Sequence, residues 1–206
     1  TQAWLSDGGV YDNLGMEPVW KTHSTVLVSD AGQPLRAEPG RRRWQLRLPF
    51  VGWAYRLARA FDITYNQVGA VRKRWLIEMY RRKDNPLHGT YWGIGTDFGD
   101  YELAGAQGYS PRIVPLLKCV RTDLNAFTPG ETGCLENHGY ALADTAMRRW
   151  VPQLLPGKLP EVVYPYPDLM EEPAAQEALA NSASPCFWKD FVRSLLGHGD
   201  GEIEAK

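Results

Sequence analysis

The chain has 206 residues, 44% of them hydrophobic and 23% charged, with a formal net charge of −1. That length and composition suit one domain with a real core or a large piece of a bigger one, and eight tryptophans with ten tyrosines argue against disorder. No apolar run reaches the length of a membrane span, the N-terminus carries no signal-peptide pattern, and the missing initiator Met reads as processing or truncation.

In chain order, residues 3 to 6 read as the end of a strand that delivers Asp7, and "LGMEPVWK" (14–21) as a connection. "TVLVSDAG" (25–32) is β-branched and apolar and is closed by Asp-Ala-Gly, the pattern of a buried strand. Asp30 is expected there as a turn residue. A basic loop, "RAEPGRRRW" (36–44), leads into a helix predicted over Pro49 to Lys83. In it Leu57, Phe61, Tyr65, Val68, Val71, Trp75 and Met79 recur at three- and four-residue steps, with a kink or break expected near Asp62–Thr64. The cationic end 81–83 suits a helix C-terminus, and "DNP" stops it.

"HGTYWGIGTDF" (88–98) reads as a second strand with a glycine-rich exit. Thr128, Pro129 and Glu131 then give three agreeing helix-start signals, a cap, a first-turn proline and a capping box. That helix is expected to run to Trp150, ended by Pro152. Residues 152–173 are proline-rich and expected to wrap the surface. Ser184-Pro185 opens a predicted short helix, and the last residues, "GDGEIEAK", a disordered tail. The fold class expected is α/β, helix-rich in its second half.

Cys119, Cys134 and Cys186 are odd in number and scattered, which argues against a disulfide framework and suits a reducing cytosol. His23, His88, His138 and His198 lack ligand spacing, so no metal and no cofactor are assigned. His138 is expected to pack or hydrogen-bond within its helix.

The motif that carries chemistry is Asp7-Gly8-Gly9. Taken alone, it is a turn. Placed after an apolar stretch, it sets an aspartate at the carboxyl end of a strand, where α/β proteins hold their sites. The two glycines open backbone conformations closed to other residues and leave space for a ligand. Asp7 could act there as a base toward a nucleophile, if burial raises its carboxyl above the ordinary value of about 3.9. Asn13, in a turn-forming pair with Asp12, could steady the loop through a local backbone bond.

"LSDGGVYDNLGMEPV" (5–19) with "VLVSDAG" (26–32) resembles the patatin-like phospholipase family of bacterial type, in which a D-G-G or D-G-A motif supplies the catalytic aspartate. "GTYWGIGTDFGDY" (89–101) and "LENHGYALAD" (135–144) resemble the C-terminal region of the same family, so the likeness spans about residues 3 to 150. It implies the C-terminal part of a three-layer α/β/α domain over 1–150, followed over 151–206 by the proline-rich wrap, short helix and tail. It further implies a serine acyl hydrolase with a Ser–Asp dyad, no histidine and no cofactor. Asp7 carries over as the dyad base, with Gly8 and Gly9 as its motif partners. The family's serine stands on a G-x-S-x-G elbow, and no such pentapeptide occurs in the 206 residues. Thr96 lies in the nearest glycine cluster, "GIGTDFG" (93–99), which holds no serine. The partner this chain needs is therefore an N-terminal portion carrying the serine and the oxyanion loop, and alone it is expected to be inactive.

Residues 36 to 83 hold thirteen Lys and Arg against three acids, a balance of +10 that leaves −11 elsewhere. The plain reading is a solvated helix face and loop. The functional one is docking to an anionic membrane surface through Arg41, Arg42, Arg43, Arg72, Lys73 and Arg74, with the protein cytoplasmic or peripheral at the membrane. Phosphates of nucleic acid rank last, since no recognised nucleic-acid motif accompanies the charge. The rival to the enzyme is a non-catalytic lipid- or protein-binding module that keeps the D-G-G turn as scaffold.

Overall fold

The computed structural model describes residues 8–32, 49–84, 87–121 and 125–182, without the side chains of 49–51, 54 and 55. Outside the described residues lie the strand expected at 3–6, Asp7, the loop 36–44 with Arg41, Arg42 and Arg43, the helix from Ser184 and the tail.

Two strands, β1 (Thr25–Asp30) and β2 (His88–Gly93), pair in parallel from Thr25↔His88 to Asp30↔Gly93. Parallel neighbours need a long crossover, and α3 (Pro49–Arg81, 33 residues) lies within it. Short helices α1 (Gly9–Asp12) and α2 (Glu17–Trp20) precede β1, in the segment expected as turn and connection. After β2 come a 3₁₀ turn (Phe98–Tyr101), α4 (Val114–Leu117), α5 (Pro129–Trp150) and α6 (Glu172–Leu179). The chain is thus mixed helix with a small parallel sheet, compatible with the α/β class. No helix among the described residues is long and apolar enough to cross a membrane.

One sheet face packs on α2 and α3: Val26, Val28, Leu76, Leu87 and Met16 form a cluster with Trp20, Met79 and Tyr80 against it. The other face is covered on β2, where Trp92 meets Leu142 and Ala146 of α5. Strand β1 is therefore buried on one face only, contrary to the expectation of a buried strand: Leu27 is 42% exposed. Its alternation is that of a half-covered strand. Gly89 takes φ +147°, and a Cβ there would stand 1.8 Å from the Val26 carbonyl oxygen, so only glycine lets the strands approach.

The Tyr80 hydroxyl donates to the Val26 carbonyl (2.6 Å), near the start of β1, and Lys73 Nζ donates to Asp30 (2.9 Å), at its end. Helix α3 thus runs antiparallel to the strands. The 24 residues before Lys73 continue past the carboxyl ends for about 36 Å. The break expected at Asp62–Thr64 does not occur. These residues lower helix propensity by only tenths of a kcal/mol each, and none removes a backbone donor. Asn66 Nδ2 also donates to the Asp62 carbonyl (2.8 Å) inside the same turn.

The capping box at Thr128 forms as read. Its hydroxyl accepts from Glu131 N (3.2 Å), and Glu131 Oε2 accepts from Thr128 N (2.7 Å). Arg121 clasps the same carboxylate with NH1 and NH2. No residue of the proline-rich stretch 152–173 is buried, and just after it α6 delivers Ala175 and Leu179 into a core with Ile113, Leu117 and Cys134. Pro173 sits in the first turn of α6, where its missing N–H costs nothing.

Candidate functional site

A cleft of about 1200 Å³ opens at the carboxyl ends of β1 and β2. Its walls come from α1 and the following turn, the β1 exit Asp30–Gly32, the overhanging part of α3, the β2 exit Gly93–Thr96, and Lys118 beyond α4. Sites of open α/β sheets form at this edge, because loops diverge there while the strand ends hold their starting points fixed.

Asp30 forms the floor. It is 7% exposed, and its Oδ2 accepts from Lys73 Nζ (2.9 Å) and the Tyr91 hydroxyl (2.7 Å), while Oδ1 accepts from Gly32 N (2.8 Å). Burial pushes this carboxyl up, but the bonds from Lys73, Tyr91 and Gly32 outweigh it and hold the pKa below the ordinary value. A carboxylate bonded by three donors and kept ionised is a poor general base. Asp30 is thus a structural anchor, more than the turn residue the sequence suggests. Burial, and then Asp30, push the Tyr91 hydroxyl well above the ordinary phenol range, so Tyr91 acts as a donor.

The Asp-Gly-Gly segment enters the described structure at Gly8. Gly8 is right-handed (φ −60°), a conformation open to any residue, so the special backbone expected of it is not used there. The space is used as expected: nothing lies within 4 Å of a Cβ placed at Gly8, and Gly9 lines the cleft. The residue that fastens the segment is Asp12. Its Oδ2 accepts from Glu17 N (2.9 Å), and Oδ1 stands 2.6 Å from Arg72 NH1 on α3. Burial opposes ionisation of Asp12, and the bonds from Glu17 N and Arg72 prevail, lowering its pKa. The Asn13 side chain makes no hydrogen bond among the described residues and faces the cleft instead.

The helical cations part ways. Arg72 pairs with Asp12, lies 3.8 Å from Glu17 and stacks on the Tyr11 ring at 5.0 Å; Lys73 pairs with Asp30. Both charges, expected on an anionic surface, are paired with carboxylates of the protein itself, because the helix face that carries them turns toward the strand ends. Arg74 is exposed. His138 is buried in α5, and its Nε2 donates to the Ile94 carbonyl (2.9 Å), which fixes the β2 exit turn. Burial holds its pKa below the ordinary value against that bond, so the ring is neutral. Among the described residues no group of His, Cys, Asp or Glu is arranged to hold a metal ion.

Sequence reading missed Lys73 and Tyr91 as partners of Asp30, and Lys118 as a wall of the cleft. The one local signal was an aspartate closing a β-branched strand, which a turn explains equally well. Compared with known proteins, the chain matches no family model, no curated protein and no solved structure.

Proposed function

We propose that the chain is the aspartate-bearing portion of a patatin-like, serine-type lipolytic acyl hydrolase with a three-layer α/β/α domain. The observation that supports this reading most is the cleft at the carboxyl ends of two parallel strands, lined by Gly9 directly after Asp7-Gly8. In this scheme a serine from the N-terminal portion attacks the ester carbonyl. Its Oγ–C bond forms as Asp7 takes the hydroxyl proton. The tetrahedral adduct expels the alcohol, which receives that proton, and leaves an acyl-serine. Water, deprotonated by Asp7, then attacks the acyl carbonyl. The C–Oγ bond breaks, the acid departs, and the proton returns to the serine. The substrate class is a lipid or other acyl ester.

In a parent protein that has the serine, Asp7→Asn should abolish hydrolysis of a short-chain p-nitrophenyl ester. Retained turnover would remove Asp7 from the mechanism, and an intact upstream region without G-x-S-x-G would remove the hydrolase.

The second reading is a binding module, and the exposed apolar line on α3 favours it. Leu57, Phe61 and Val71 are exposed on one side of the helix, with Phe61 65% exposed. Such a line suits a protein or lipid partner without any chemistry. The basic surface gives this reading less support, since Arg72 and Lys73 are neutralised internally.

A further inference from the structure

Lys118 follows α4 and lays its side chain across the β2 exit turn. A Cβ placed on Gly95 would come within 2.6 Å of Lys118 Cε and 3.1 Å of Nζ, so the absence of a side chain at Gly95 is what lets the ammonium rest there. The turn beneath it is tied down. Ile94 N donates to the Asp30 carbonyl (2.8 Å), Gly93 N to Thr96 Oγ1 (3.0 Å), and Thr96 N to the Gly93 carbonyl (2.8 Å). His138 fixes the Ile94 carbonyl from behind. The Gly95 N–H is left without a hydrogen bond among the described residues.

Lys118 differs from the two paired cations of the cleft. Arg72 and Lys73 are neutralised by Asp12 and Asp30, whereas Lys118 has no ion pair among the described residues. Asp62 and Asp100 line the same cleft but are exposed, and neither forms a salt bridge with it. A cation held over a fixed turn, next to an unused backbone donor, at the mouth of a strand-end cleft, has the elements of an oxyanion receptor.

We infer that Lys118 and the Gly93–Thr96 turn form an anion subsite that takes a phosphate group, either free or as the headgroup of a glycerophospholipid. The subsite stands whether or not a serine hydrolase is assembled around it, because it uses no residue of the dyad.

The test is amide chemical-shift titration of this chain with three probes: inorganic phosphate, dihexanoylphosphatidate as monomers, and neutral tributyrin. Phosphate and phosphatidate should move the amides of residues 93–96 saturably, and tributyrin should not. Lys118→Met keeps the aliphatic stem and removes the charge, so affinity should fall at least tenfold, with Lys118→Arg restoring much of it. Gly95→Ala has no backbone penalty, since φ is not positive there, and its methyl should displace the ammonium with a similar loss. A response to phosphatidate alone identifies a headgroup site, and a response to phosphate alone a free-phosphate site. Silence at 93–96 with both anions, or shifts unchanged in Lys118→Met, would overturn the inference, while leaving Asp7 to be judged separately by ester hydrolysis.

Discussion

Lys73 Nζ lies 2.9 Å from Asp30 Oδ2, a single ion pair that joins α3 to the carboxyl end of β1 across 43 residues of chain. It closes the floor of the cleft and fixes where the helix begins to overhang it.

Lys73→Met leaves the Asp30 carboxylate buried with one donor fewer. Because Lys73 is partly solvated, the cost should be about 1 to 2 kcal/mol rather than that of a fully buried pair. The Asp30→Asn/Lys73→Met double variant should lose less than the sum of the singles, as measured by urea unfolding at neutral pH. The native Asp30 pKa lies below the ordinary 3.8, so its support is full above that value and disappears as pH falls through the native pKa. In Asp30→Asn that part of the acid sensitivity should be absent.

Glu131 is buried against Arg121 and closes the capping box. Burial raises its pKa, but the bonds from Arg121 and the Thr128 N–H hold it down to about 2, against 4.5 for the free group. Its contribution is complete above 4.5 and is lost between 4.5 and about 2. Glu131→Ala removes the carboxylate facing the buried Arg121 guanidinium, which keeps Asn125 and Ala126 as partners, and should cost about 3 kcal/mol. Denaturant midpoints at pH 7 and pH 3 for both proteins should show the variant less affected by acid.

His138 is neutral in the fold, and burial lowers its pKa from the ordinary 6.5. The unfolded chain therefore takes up a proton before the native one does. Stability is full above 6.5 and falls as pH drops below it toward the native value. His138→Gln can still donate to Ile94, so it should flatten the dependence of the urea midpoint between pH 7.5 and 5.5. An unchanged slope would assign the effect to another group.

Gly89→Ala would drive a methyl into the Val26 carbonyl at a positive φ. The strands must part or the chain must remain unfolded, so a loss of about 3 kcal/mol or more is expected, visible as a lost unfolding transition by circular dichroism. Gly8→Ala, with open space and a right-handed backbone, should change stability by less than about 0.5 kcal/mol.

Much of the fold was legible wherever its causes are local. Thr128, Pro129 and Glu131 announced α5 because a capping box spans four residues, and the β-branched run of β1 announced a strand. The three-to-four spacing announced α3, but periodicity reports a face without saying what covers it. Leu57, Phe61 and Val71 are exposed, while Met79 packs. Helix α6 went unread: the proline-rich stretch reads as ending at Pro173, which in fact sits in the first turn of the helix. At the site, the strand end that the sequence singles out, at Asp7, lies outside the described residues, and the Asp30 network at the end of β1 was not legible. Its partners stand 43 and 61 residues away, a distance over which sequence pattern carries no register. Asn13 was credited with the fastening that Asp12 performs, because either short side chain of the pair could make such a bond and only the position of Arg72 selects between them.

Among the described residues, helix α3 is tied to β1 only toward its C-terminal end. Lys73 and Tyr80 clamp its last third to β1, and the remaining two-thirds stand over the cleft with their apolar side turned outward. One wall of the cleft therefore belongs to the part of α3 that lies beyond its two hydrogen bonds to β1. Its amides should lose hydrogen-exchange protection progressively from the far end toward Lys73, where protection rises abruptly. The aperture is then set by how many turns of helix remain wound, each turn about 5.4 Å of wall, rather than by rotation about a hinge.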